Sequence, residues 1–311
     1  MTSLAPALAA LAALASPGAA ADPAPAPSCE HILPPEHLPA GSRPLVPEDL
    51  VRLRDIGPID PEPYAAPFFT ISPDGRRVAF QLRQADPTTN RYCLAMVVLD
   101  LVPGARPMVV DQGGDLQLLT IDLRGIANFA TGNTRVITPR WSPDGRWIAF
   151  LKRAAGGTQV WRAMADGSGS APVTQSPIDV VDFRIGADGS TIIYATRPGL
   201  EQSRQSHERE ALAGFHYDER FSPFARRWPY AVAPVERHVE VLNLQTGLMR
   251  APTPDEAALV AVDRELIATA GAPAAREPTA RAWISATTLS GGAQAGGFHA
   301  RLPNGFTATC A

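Results

Sequence analysis

The chain has 311 residues, 45% hydrophobic and 19% charged, which is ample for a packed core and argues against wholesale disorder. With 28 basic against 31 acidic residues the net charge is -3, so there is no basic field of the kind that drives phosphate binding, and nucleic acid is not an expected partner. The 25 glycines and 31 prolines, with proline at about twice its usual share, point to many turns and against a helical bundle.

Residues 1–21, MTSLAPALAALAALASPGAAA, form an apolar run that closes on Ala19, Ala20 and Ala21, the small-residue pattern of signal-peptide cleavage before Asp22. Export to the periplasm is expected, although no Lys or Arg precedes the run. It is too short to span a bilayer, and no later stretch reaches about 18 apolar residues, so no membrane span is expected. Residues 22–63 read as a Pro-rich linker ending in a short helix, in which Pro47, Glu48 and Asp49 suit the first turn and Gly57 the stop. Leu50, Leu53 and Ile56 would share one face of that helix. Cys29, Cys93 and Cys310 are too far apart for a CxxC site. In an oxidising compartment one disulfide can form and one thiol is left over. The linker is long enough to bring Cys29 to Cys93, which leaves Cys310. Lys152 is the sole lysine, read as a consequence of codon bias towards arginine.

From Tyr64 the pattern changes to short apolar runs between turn signals, with an internal repeat. Residues 69–80, FTISPDGRRVAF, recur at 140–150 as RWSPDGRWIAF and more loosely at 183–194 as FRIGADGSTIIY. In each unit a strand ends, Pro or Ala begins the bend, Asp caps the turn, Gly supplies the positive φ, and a second strand leaves with apolar residues alternating. Asp144 and Asp188 lie 44 residues apart, the length of a four-stranded propeller blade, whereas Asp74 and Asp144 lie 70 apart and require an insertion or an enlarged first blade. Further strands are expected at 92–99, at 158–164 before the Asp166-Gly167 turn, and as pairs at 238–250 and 258–269. Residues 200–215 are polar with helical propensity and read as an insertion on one face. The expected fold is all-β: a β-propeller over 64–311 with about five or six four-stranded blades in an incomplete ring, plus a short N-terminal helix and one helical insertion.

His207, His216 and His238 are not at ligand-pair spacing, and Asp74, Asp144 and Asp188 go with the turns, so no metal site, cofactor or catalytic residue is assigned. Trp141, Trp147 and Trp161 suit packing between blades. The one aromatic and charged cluster outside the repeats is the loop 216–223, HYDERFSP; long loops on rigid scaffolds are where recognition sits. His216, Tyr217, Asp218, Arg220 and Phe221 are its candidate contact residues.

The SPDGR repeats resemble the motif shared by the Tol-system periplasmic propeller and the prolyl oligopeptidase family of serine peptidases. The ordered set PEDLVRLRDIG at 47–57, FFTISPDGRRVAFQLRQADPTTNRYCLAMVVLDL at 68–101 and GFHYDERFSP at 214–223 resembles more closely the amino-terminal half of lasso peptide isopeptidases. That resemblance implies a cofactor-free periplasmic enzyme in which a propeller covers an α/β-hydrolase domain that opens the isopeptide ring by Ser-His-Asp acyl transfer. The hydrolase domain needs a G-x-S-x-G elbow, and the nearest string here, Gly167 to Ala171, has the wrong spacing. The expectation is therefore a truncated family member, inactive by itself, with a peptide as partner in intact relatives and self-association through exposed blade edges. The alternative is a self-sufficient exported propeller that binds a peptide or envelope protein.

Overall fold

The structure is a computed structural model that describes residues 29, 32–33, 44–56, 67–222, 228–261, 298–301 and 307–310. The expected signal peptide and most of the linker lie outside the described residues. The chain divides into two compact units, residues 1–265 and 266–311.

Helix α1, Pro47–Val51, starts as its sequence dictates: Pro47 occupies the first turn, and the Asp49 carboxylate accepts the Val46 N–H at 3.0 Å. It ends earlier than expected. Arg54–Asp55 form strand β1, so the apolar face of Leu50, Leu53 and Ile56 is never assembled and all three side chains are exposed. A tertiary ladder has overridden local helix propensity here.

Strands β2 (Phe69–Ile71), β3 (Arg77–Asp86), β4 (Arg91–Asp100) and β5 (Met108–Gln112) form the first blade, all antiparallel, with β1 joined to the same edge of β3 as β2. A hairpin follows, β6 (Leu118–Leu123) and β7 (Ile126–Thr134). The second blade is β8 (Arg140–Trp141), β9 (Trp147–Ala154), β10 (Gly157–Met164) and β11 (Ser170–Pro172). The third begins with β12 (Val180–Ile185) and β13 (Thr191–Thr196), departs through helix α2 (Pro198–Ala211) and strand β14 (Ala231–Val232), and returns as β15 (His238–Asn243) and β16 (Met249–Arg250). The three repeat hairpins, the strands at 92–99 and 158–164, the pair at 238–250 and the helical insertion stand where the sequence puts them. Unit two contributes a hairpin of β17 (Phe298–Arg301) and β18 (Thr307–Cys310).

The first two repeat turns share one chemistry. Ser142 Oγ donates to Asp144 at 2.6 Å and accepts the Trp147 N–H at 3.1 Å, while Asp144 accepts the Arg146 N–H at 3.0 Å. Ser72, Asp74, Arg76 and Arg77 repeat that pattern in the first blade. The serine hydroxyl is the first cause holding each aspartate below its usual pKa, so the turn keeps its charged cap into acid. Successive turns also touch. The Arg77 guanidinium donates to Gly145 O at 2.6 Å and lies over the Trp141 ring at 5.0 Å, and a Cβ on Gly189 would stand 3.1 Å from Pro143 Cδ.

One apolar core runs through all three blades, from Ala79, Met96 and Val98 through Ile148 and Phe150 to Phe183, Ile192 and Tyr194. The boundary between the first two blades also carries charge. Lys152 Nζ donates to Asp111 Oδ2 and to Gln112 O, both at 2.8 Å, and sits 4.2 Å from the Trp161 ring centre; Ser170 Oγ donates to the same aspartate at 2.6 Å. The lone lysine thus has a structural place: its side chain is 10% exposed and that of Asp111 7%.

The second blade has a neighbour on each face. The remaining faces of the first and third are covered otherwise. Cys29 is disulfide-bonded to Cys93, with Cα atoms 5.4 Å apart, and lays Ile32 and Leu33 against Leu82, Ala95 and Val97 of the first blade. Arg54 Nε donates to Ile32 O at 2.7 Å and Gln112 Nε2 to Cys29 O at 2.9 Å, which ties this strap to the blade at both sides. On the third blade, helix α3 (Pro254–Ala261) packs Val260 against Ile193, Ala195 and Val241. This corrects the strand pair expected at 258–269: residues 254–261 are helical, and 262–269 lie outside the described residues. The cause is local as well as tertiary, because Thr253 and Glu256 form a reciprocal cap, with Thr253 N–H to Glu256 Oε2 at 2.8 Å and Glu256 N–H to Thr253 Oγ1 at 3.3 Å.

Two outcomes follow. Thiol titration of the unfolded, unreduced chain should count one of its three cysteines, and reduction should expose all three and cost up to about 4 kcal/mol for a closed loop of this length. Lys152→Met, which strands a buried carboxylate, should cost about 3 kcal/mol in urea unfolding, and adding Asp111→Leu should recover most of that.

Candidate functional site

Because the strands of each blade alternate in direction, the repeat turns at 72–76, 142–146 and 186–190 all lie at one end of the blades. The excursion 113–139 leaves from the tail of β5 and the excursion 197–237 from the tail of β13, both at the opposite end. There they join. Strand β14 pairs with β7, Ala231 opposite Ala127 and Val232 opposite Ile126, completing a three-stranded sheet in the order β14-β7-β6. The 70-residue spacing between the first two repeats is explained by this hairpin rather than by an enlarged blade.

A buried ion pair fixes the junction. Arg197, at the root of α2, donates through Nη1 to Asp122 Oδ1 at 3.1 Å, and the same carboxylate oxygen accepts the Asn128 N–H at 2.8 Å. Both side chains are nearly sealed from solvent, so the pair fixes orientation more than it adds stability. Ala233 N–H donates to Gly125 O at 2.8 Å, closing the hairpin turn onto the second excursion. Phe129 of β7 packs on Tyr230 with ring centres 5.6 Å apart, and Tyr230 N–H donates to Arg220 O at 2.8 Å. The three-stranded sheet and the two excursions that form it make a cap at this end of the blades, and Tyr230 couples its sheet to the loop.

Four of the five candidate residues divide into two groups. Arg220 is internal to the loop: Nε donates to both Asp218 oxygens at 2.9 Å, Nη1 to Glu210 Oε2 at 2.8 Å, and Nη2 to Glu210 Oε1 at 2.9 Å and Asp218 Oδ2 at 2.7 Å. This clamp holds the loop to the last turn of α2. The guanidinium is the first cause holding both carboxyls below the usual carboxylate range, and the pair in turn raises the guanidinium. Tyr217 and Phe221 belong instead to an aromatic chain. Tyr217 stacks on Phe221 at 5.0 Å, Phe221 meets Phe215 edge-on at 6.0 Å, and Phe215 meets Trp228 edge-on at 5.1 Å. Tyr217 at 67% and Trp228 at 47% are the exposed ends.

His216 is exposed, and His207 is buried on α2 near Glu210. Pro223 lies outside the described residues. Phe215, Trp228 and Glu210 complete the cluster beyond the five candidates; the spacing of aromatics across 215–230 signals the two rings, and nothing local in the sequence signals Glu210. Among the described residues no three His, Cys, Asp or Glu side chains converge as a metal site, and no helix is long and apolar enough to cross a membrane.

The clamp has a pH signature. Glu210 and Asp218 are lowered in the folded state, so their contribution is complete above the ordinary carboxylate range and is lost as pH falls through the lowered values. Tryptophan emission should therefore hold steady from neutral pH down to the ordinary carboxylate range and change only as pH falls below it, and Arg220→Gln should diminish that transition.

No family model matches the chain. It is 42% identical over 216 residues to the lasso peptide isopeptidase AtxE2 of Asticcacaulis excentricus, a match that covers 69% of this chain and 31% of the relative. The chain thus spans about a third of the length of that curated relative. Two solved structures of the isopeptidase resemble it at 34% identity, each covering 87% of this chain and 40% of theirs: the apo form at a TM-score of 0.66, and a serine-to-alanine variant with Astexin3-dC4 bound at 0.67. The antiparallel blades, the repeat turns and this alignment agree: the chain is homologous to lasso peptide isopeptidases over their amino-terminal propeller portion.

Proposed function

We propose that these residues form the peptide-binding propeller portion of a lasso peptide isopeptidase-like hydrolase, with the loop of His216, Tyr217, Asp218, Arg220 and Phe221 beside the bound peptide. The observation that carries this reading is the alignment of 87% of the chain with an isopeptidase structure that has Astexin3-dC4 bound. The cap supports it: two excursions are fastened together so that the loop is held rigidly, which lowers the entropy cost of binding.

The role assigned to this part is holding the peptide rather than breaking its bond. Acyl transfer needs a hydroxyl whose proton passes to a base. The repeat serines Ser72 and Ser142 instead donate to turn aspartates and accept backbone N–H groups, which makes them turn caps. We assign the protein to the periplasm on two grounds: the apolar run closing on Ala21, and the Cys29–Cys93 disulfide, which suits an oxidising compartment.

Calorimetric titration of the 311-residue chain with Astexin3-dC4 tests the reading. Saturable binding with the peptide's mass unchanged after incubation is the expected result; absence of binding would count against it, and peptide cleavage would refute the assignment of a binding role alone.

A further inference from the structure

Resting on the reading of the cap as a peptide contact, we propose that its loop recognises apolar and aromatic side chains of the peptide by stacking on Tyr217 and Trp228, and forms no ion pair with it through Arg220.

The first ground is that Arg220 is occupied. All three of its nitrogens donate to Glu210 and Asp218 at 2.7 to 2.9 Å, and presenting the guanidinium to a ligand would dismantle the clamp that holds the loop to α2. The second is the ring geometry. Among the described residues Phe215 and Phe221 are the inner links of the four-ring chain, and Tyr217 and Trp228 are its exposed ends, each with one ring partner. Rings already held by neighbours lose little freedom on binding, so the area they cover on a partner is converted efficiently into affinity. The third is continuity. Through Phe129 and Tyr230 the loop adjoins the β6–β7 hairpin, where Leu119 and Leu123 are also exposed, so the surface offered is apolar beyond the four rings. The occupant is the peptide because the aligned isopeptidase structure has one bound.

The experiment uses the 311-residue chain with Astexin3-dC4 as probe and circular dichroism to verify the fold of each variant. Tyr217→Ala and Trp228→Ala should each raise Kd at least about fivefold, the size of a stacking contact at an interface. Tyr217→Phe, which keeps the ring, should stay within about twofold. Because stacking is not screened, these ratios should be the same at about 0.05 M and about 0.5 M salt. Wild-type binding with both alanine variants unchanged overturns this inference and leaves the binding role standing. No wild-type binding overturns both together. Dimerisation that Tyr217→Ala abolishes while peptide affinity is unchanged would assign the rings to a second copy of the chain and also overturn it.

Discussion

A propeller blade is a sheet with two apolar faces, and neither can be left to water. The second blade satisfies this through its neighbours: Ala79 and Met96 approach from one side, Phe183 and Ile192 from the other, all in one core. Among the described residues, the outward faces of the first and third blades are covered by chain that is not blade. A strap of a few residues does this on the first, where Cys29 anchors Ile32 over Leu82, Ala95 and Val97. Helix α3 does it on the third, where Val260 is fully buried against Ile193, Ala195 and Val241. So short a strap has little area with which to hold itself down by burial. The disulfide and the donors from Arg54 and Gln112 supply the missing attachment.

Charge has a narrower task, keeping the blades in register. Hydrophobic contact between sheets is non-directional and tolerates sliding, whereas a buried ion pair has one good geometry and is costly to break. Lys152 and Asp111 place such a pair between the first two blades, and Arg153 with Asp179 links the second to the third at 2.8 Å, nearer to solvent. The repeat turns add steric register: Gly145 and Gly189, both at positive φ, lie where the preceding blade's proline approaches. The turn motif therefore serves its own hairpin and the next one.

The parts legible in sequence are those whose chemistry is local. Asp, Gly and the flanking alternation at 69–80, 140–150 and 183–194 define a hairpin without help from the rest of the chain, and α2 declares itself by polarity and length. Where distant partners decide, local reading fails. Leu50, Leu53 and Ile56 have helical spacing, yet β3 captures Arg54 and Asp55. The cap is invisible in sequence because β14 has two residues and its partner β7 lies about a hundred positions earlier. Helix α3 is only half legible: Thr253-Pro-Asp-Glu256 is a start signal, but the apolar run behind it reads equally well as a strand. Within the loop, sequence locates the aromatic cluster and cannot assign Arg220, because a guanidinium facing a ligand and one facing Glu210 look alike in a string of letters.

The two ends of the blades then differ in what they can do. At the repeat-turn end, the side chains with chemical potential are committed to one another: serine to aspartate, arginine to the next turn's carbonyl, tryptophan to Thr70. At the other end the blade loops are short except where two excursions leave, and those two are fastened by Asp122 and Arg197 instead of lying separately on the surface. A single excursion would be a mobile loop, and two that share a sheet and a buried ion pair are a platform. This division places rigidity beneath the aromatic rings, whose two end members are exposed among the described residues, and a rigid support beneath an exposed ring is what the proposed binding surface relies on.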